Sequence, residues 1–565
     1  MERRVILAIV LMLIVAIAPS VIWPPKRPVG RPDGRTDGTP TEPTVTQPTP
    51  APAPARPSDR PMVRPSDGEA DTVWVTSPLY RLGFSTRGGS LVSAQLLQYR
   101  SFAPGDSAQR VQLVPTGHPF LVHQLVATGG GDTVSLAEWS FRASAPAVQV
   151  HGPTTLVFEG ERGGSRVTIE YHFLPDEYRF DVRGSVVGLG GSGAVLVIDL
   201  SDGLRSVEAD TLDDFRHYAL VTKASKTERK DFSSIDPGER LVLDGPFEWV
   251  GVKSKYFFAA ALALEESQPK FGGAIAVGGA RTGKRTTRAA VSLTLAVPPA
   301  GGFGYAVFVG PLDHRRLDAL GHGLDDANPY GGFLRPIIHP VSLFVVNVLV
   351  WIHEHLSLAY GWVLILTGVL VRILLWPLNQ KAMESGIRMQ AVAPLIKETQ
   401  DKYKNDPERL QRDMLRIYKE HKVNPFGGCL PMLLPMPVLL ALFFVFANTI
   451  EFRGVPFLWL PDLSRHDPYY IIPIVMGLSM FGLSKVGQIG VPPNPQTQMM
   501  VYFMPIMMTV LFLNFASGLN LYYAAQNIFS IPQQYMIAKR RLREAPVAKP
   551  HPLTPSPRRG EGERG

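Results

Sequence analysis

Within GVLVRILLWPLNQ (368–380), Arg372 stands in an apolar run that extends from Ala359 to Leu378. A run of that length is enough to cross a bilayer. The guanidinium cannot shed its charge, and placing it near the bilayer centre costs at least about 2.5–3.5 kcal/mol. No Asp or Glu falls within the apolar runs of the C-terminal half to offset that cost. Two readings are open. Trp376, one turn later, marks an interface that the side chain could snorkel to. Alternatively, Arg372 faces a polar, water-holding cavity. A helical Cα–Cβ bond tilts toward the N-terminus, the outer side by the charge count below. Arg372 therefore starts out aimed toward mid-membrane, which favours the cavity.

The last apolar run offers a wall for it. In GLNLYYAAQNIFSIPQQYM, the residues Asn520, Tyr523, Asn527, Ser530 and Gln534 recur at spacings of three, four, three and four. That pattern draws a polar stripe down one face of an otherwise apolar helix. Such faces commonly only hydrogen-bond to neighbouring helices; beside a lone arginine, a hydrated groove accounts for the stripe better. Nine of the 16 methionines lie between residues 432 and 508. They suit either soft walls for varied apolar partners or ordinary core filling.

The elements that must position these residues follow from the segregation of charge along the 565 residues. Long apolar runs at 5–22, 359–371, 429–450, 468–484, 499–516 and 518–538 make this a multi-pass helical membrane protein. Residues 1–23 read as an N-terminal anchor: Ala16-Ile17-Ala18 resembles a cleavage site, but Pro19 disfavours the cut. Residues 24–72 hold 13 prolines and form a semi-stiff spacer without a core. From 73 to 311 the period becomes two, as in RVTIEYHF (166–173), with Gly163-Gly164 as a hairpin turn. This stretch is expected to be an all-β antiparallel sandwich. In it Asp213-Asp214 reads as a solvated loop, and GERGGS lacks the strand-to-helix setting of a phosphate loop.

Residues 312–357 form a connector and an interfacial amphipathic helix; its His353 and His355, two apart, point to different faces and suit a metal poorly. The five-helix core is expected over 358–538, interrupted by a charged helical hairpin at 380–422, with a basic tail at 539–565. Asn405-Asp406-Pro407 should start the second arm of the hairpin, whose stripe is Leu410, Met414, Ile417 and Tyr418. The hairpin is either a structural element or a docking arm. The single cysteine, Cys429, forbids an intrachain disulfide and reads as a small apolar residue. No catalytic, metal-binding or cofactor-binding constellation is visible in the sequence.

The hairpin carries ten basic against seven acidic residues and the tail eight against three, whereas 451–467 carries two against three. Basic flanks stay in the cytoplasm. Both termini are therefore expected inside and the β region outside, and six crossings return the chain to the side where it began. The net charge of +8 is spent on this orientation rather than on a specific nucleic-acid sequence. A positively charged, hydrated groove could host the polar end of a polypeptide while its apolar segment enters lipid. A small-solute transporter or anion channel is the alternative, although no internal repeat supports it.

VRILLWPL (371–378), VNPFGGCLPMLLPMP (423–437), DPYYIIPIVMG (467–477) and FMPIMMTVLFLNFASGLNLYY (503–523) closely resemble the bacterial YidC membrane-protein insertase family. The likeness continues more weakly through YRLGFSTRGGSLVSAQLLQY (80–99), WVGVKSKYFFAA (249–260) and GYAVFVGPL (304–312). The resemblance implies an inner-membrane insertase and chaperone, not an enzyme, with a five-helix core and a periplasmic β-supersandwich. It assigns Arg372 to a hydrophilic groove that engages substrate and Tyr523 to its lining. Implied partners are nascent membrane proteins, the Sec translocon and the lipid bilayer, with the ribosome and a targeting receptor meeting the hairpin and tail. The chain departs from the family pattern at Gly368, where a threonine is common, and at Pro435, where a glutamine is. Thr367, beside Gly368 on another face, joins the groove candidates.

Overall fold

The computed structural model describes residues 71–106, 109–128, 133–188, 193–264, 270–282, 285–328, 334–377, 380, 392, 395–396, 398–403, 406–421, 436–490 and 495–544. The anchor, the spacer, most of the hairpin's first arm, Cys429, Pro435 and most of the basic tail lie outside the described residues. The chain forms two compact units, one of strands and one of helices.

The strand unit contains a nine-stranded, a six-stranded and a five-stranded sheet. The nine-stranded sheet runs Trp249–Lys253, Phe257–Leu262, Gly302–Pro311, Arg179–Val187, Ser165–Phe173 and Thr154–Arg162 through its middle, each pair antiparallel. The period-two reading holds where one face is solvated: Val167, Ile169, Tyr171 and Phe173 are buried while the residues between them are not. Gly163 and Gly164 turn that hairpin at φ of 62° and 82°, values that cost a side chain but not glycine. GERGGS is thus a hairpin. Strands covered on both faces lose the alternation, and every residue of Trp249–Lys253 and Phe257–Leu262 is buried. Rings of Phe84, Phe158, Tyr171, Phe173 and Phe180 meet at 4.5–6.5 Å in the core. Each such side chain contributes about 1.5–3 kcal/mol by leaving water.

Asp213-Asp214 is not a solvated loop. Asp210 caps a short helix, Thr211–Phe215, that carries both residues inward. Asp214 is 1% exposed and accepts from Ser206 Oγ (2.7 Å) and the Lys255 backbone N–H (3.1 Å). Asp213 pairs with Lys255 Nζ at 2.8 Å. Lys255, the second lysine of WVGVKSKYFF, supplied the partner from the turn between Trp249–Lys253 and Phe257–Leu262, 42 residues away.

The helical unit comprises α1 (Arg335–Leu356), α2 (Tyr360–Leu374), α3 (Pro407–Glu420), α4 (Met436–Asn448), α5 (Ile471–Gly487), α6 (Pro495–Phe512) and α7 (Ser517–Glu544). Among the described residues α1 is the one helix long and apolar enough to span a membrane, by length and composition alone; stretches of α2, α4, α5 and α6 are apolar but shorter. Burial on α1 is one-sided, through Ile338, Val341, Val345, Leu349 and Ile352, as in a helix laid against a bundle. The two histidines near its end are engaged locally: His353 Nδ1 lies 2.6 Å from the Leu358 carbonyl, and His355 stacks on Trp351. α3 starts as the sequence dictates, with Asp406 accepting from the Arg409 N–H and Pro407 in the first turn.

The connection 451–470 is a folded clasp. Asp467, fully buried, accepts from the N–H groups of Ile472 (2.7 Å) and Tyr469 (3.0 Å) and from Trp459 Nε1 (3.2 Å). It thereby meets otherwise unpaired donors at the start of α5. The start of α7 is held by Ser517 N–H to the Arg465 carbonyl (2.6 Å) and Gly518 N–H to the Leu463 carbonyl (2.9 Å). The start of α2 reaches the same clasp, because Gly361 lies directly against the Phe457 ring.

Candidate functional site: a polar seam between two helices

α2 and α7 both begin at the clasp, and farther along them Gly368 meets Tyr522. The two helices therefore run parallel. A Cβ placed on Gly368 would lie 3.2 Å from the Tyr522 carbonyl oxygen and 3.4 Å from its ring. Glycine here permits a close helix approach of the kind small residues give in membranes. A threonine at this place would press the helices apart.

Arg372 lies one turn beyond Gly368 and about 40° around α2 from it, so it shares the face turned to α7. On α7 the matching step from Tyr522 leads to Gln526, at the level of Arg372. Arg372 is half-buried, and its Nε is enclosed without a hydrogen-bond partner. Among the described residues no carboxylate pairs with it. Thr367, 5% exposed, lies on another face of α2, about 140° around from Arg372, its Oγ1 likewise enclosed and unpartnered.

The stripe expected on α7 faces elsewhere. Asn527 Nδ2 donates to Ser479 Oγ of α5 at 3.3 Å, and Gln534 packs against Gly487 at the end of α5. The Tyr523 ring lies 5.9 Å from Phe512 of α6. Asn520, fully buried, donates to the Phe512 carbonyl at 3.0 Å and tightens the turn between α6 and α7. Ser530 donates back to the Gln526 carbonyl at 2.6 Å. The face toward α2 carries a second polar set, Tyr522, Gln526 and Gln533, spaced four and seven apart and each no more than 9% exposed. The Tyr522 hydroxyl and both amide atoms of Gln533 are enclosed without partners. A scan of α7 for polar residues beside the first stripe would have found this set; Tyr522 and Gln533 were hidden by the polar neighbours Tyr523 and Gln534. Buried polar groups are normally paired. Arg372 Nε and Tyr522 Oη thus mark a seam between α2 and α7 that suits water or a polar guest, and the Gln533 amide continues the α7 side of it past the end of α2 at Leu374.

Two family models match in succession, one described as the YidC periplasmic domain over residues 72–343 and one as the 60Kd inner membrane protein over 351–544. The chain belongs to the YidC family. The curated membrane protein insertase YidC of Syntrophus aciditrophicus is 33% identical over 493 residues, covering 84% of this chain and 87% of that protein. Those of Oleidesulfovibrio alaskensis and Anaeromyxobacter dehalogenans are 31% and 32% identical, covering 84% and 83% of this chain and 87% and 85% of theirs. The strand unit is the family's periplasmic domain and the helical unit its inner-membrane region. Membership of an insertase family places the chain outside the enzymes.

Proposed function

We propose that this chain inserts integral membrane proteins into the inner membrane and assists their folding, alone or with the Sec translocon. The groove for the passing chain lies between α2 and α7. Arg372 stands on one wall, with Thr367 on the adjoining face of α2; Tyr522 and Gln526 stand on the other, which Gln533 continues past the end of α2. Asn520, Tyr523, Asn527, Ser530 and Gln534 continue the second wall toward α5 and α6. The observation that carries this reading is Arg372 itself, charged, half-buried, without an acidic partner, beside a polar helix face. Water in the seam lowers the cost of holding that charge. An acidic flank of the guest gains by approaching it, since at short range and low effective dielectric opposite charges attract by a few kcal/mol. The driving force is partition: about 0.8 kcal/mol per buried methylene, summed over about 20 apolar residues, offsets transfer of a short polar flank.

In this proposal the five membrane helices α2 and α4–α7 form the core, α1 lies at the outer interface, and the strand unit is a periplasmic supersandwich. Both termini are cytoplasmic. α3 and the basic tail meet the ribosome and a targeting receptor. The test is complementation of a depleted strain, reading insertion of substrates that do not use the Sec translocon. Arg372→Ala at normal abundance is expected to lower it at least tenfold, and Arg372→Lys to retain much of it because the charge survives. Insertion by Arg372→Ala equal to wild type would overturn the groove. Solute flux through the purified protein in vesicles would instead point to a transporter or anion channel.

A further inference from the structure

Along the polar wall of α7, most side chains have found work within the fold. Asn520 bonds the Phe512 carbonyl, Asn527 bonds Ser479, Ser530 bonds its own helix, and Gln534 packs on Gly487. Gln533 has not. It is 1% exposed, yet neither its Nε2 nor its Oε1 has a hydrogen-bond partner. It shares the face of Tyr522 and Gln526 but stands past the level at which α2 ends, at Leu374. It lies seven residues past Gln526, which is about 10 Å along the axis from the level of Arg372.

A buried amide offers one acceptor and a donor pair from a single planar group. A carboxylate guest would satisfy only the donors and an ammonium only the acceptor. A peptide group matches both, because its C=O accepts and its N–H donates. We propose that Gln533 is a second contact for the passing polypeptide and binds its backbone rather than its side chains. The proposal rests on the insertase reading above. Arg372 then selects by charge, whereas Gln533 holds any sequence equally. An extended chain advances about 3.3 Å per residue, so the two contacts grip points about three residues apart.

Two experiments with the full-length protein test this. In a Cys429→Ser background, Arg372→Cys and Gln533→Cys are each paired, through a short bismaleimide, with a ribosome-bound nascent membrane protein carrying one cysteine at successive positions. The best-reacting positions for the two sites are expected to differ by about three residues. Strong crosslinking at 372 with none at 533 overturns the second contact and leaves the insertase reading standing. No crosslinking at either site counts against both. Separately, Gln533→Met, similar in length but without the amide, is expected to slow insertion about fivefold, the worth of roughly one hydrogen bond. The loss should be alike for substrates with and without acidic flanks. Arg372→Ala should penalise chiefly the acidic ones. A Gln533→Met defect that scales with acidic content, or is accounted for by lowered abundance, overturns the backbone role.

Discussion

At Asp214, burial raises the carboxyl to about 7, the nearby charge of Glu208 adds to it, and the hydrogen bonds from Ser206 and Lys255 oppose it. Asp213 is also raised by burial, but the Lys255 ammonium overcomes this and holds its carboxyl below the ordinary value. The raised Asp214 binds a proton in the folded state that the unfolded chain releases near 3.8. Its contribution is therefore full below about pH 4 and lost as pH rises through 7, by a few kcal/mol at one unit per 1.36 kcal/mol. His217, lowered to about 4 mainly by burial, has the opposite sign over part of that window. The informative quantity is hence the difference between wild type and Asp214→Asn. Melting of the full-length protein across pH 4–8 is expected to show wild type losing stability relative to the variant up to pH 7 and level beyond. A constant difference would mean that Asp214 stays ionised throughout.

Between elements, the Gly368–Tyr522 approach sets how tightly α2 lies on α7, and the clasp fixes where each helix starts. Gly368→Thr must place a Cβ 3.2 Å from a backbone carbonyl that has little freedom to yield. Overpacking of this kind costs about 1–3 kcal/mol. The variant is expected to melt measurably lower in detergent, with Gly368→Ala between it and wild type. Unchanged melting for both would show that the seam opens without penalty. Thr367 keeps a buried hydroxyl nearby while glycine at 368 keeps the helices close. The faces of α7 were only half legible beforehand. Periodicity finds a polar stripe, but it cannot say which neighbour that stripe meets.

For the molecule as a whole, charge placement predicts both termini on one side of the membrane and the strand unit on the other. Protease added to spheroplasts is expected to degrade the strand unit while sparing a tag at Gly565, and permeabilised cells should lose both. Loss of the tag in intact spheroplasts would reverse the orientation. Much was determined by the sequence alone. Apolar runs placed helices, period-two alternation placed solvated strands, capping chemistry started α3, and the lone arginine singled out the candidate site; each signal is local, set by residues within one or two turns. Tertiary structure decided what depends on partners distant in the chain. It turned Asp214 inward toward Ser206 and Lys255, buried both faces of the central strands, and made the 451–470 loop a clasp. Above all, it chose which face of α7 looks at Arg372, because only the Gly368–Tyr522 contact fixes the rotation of one helix against the other.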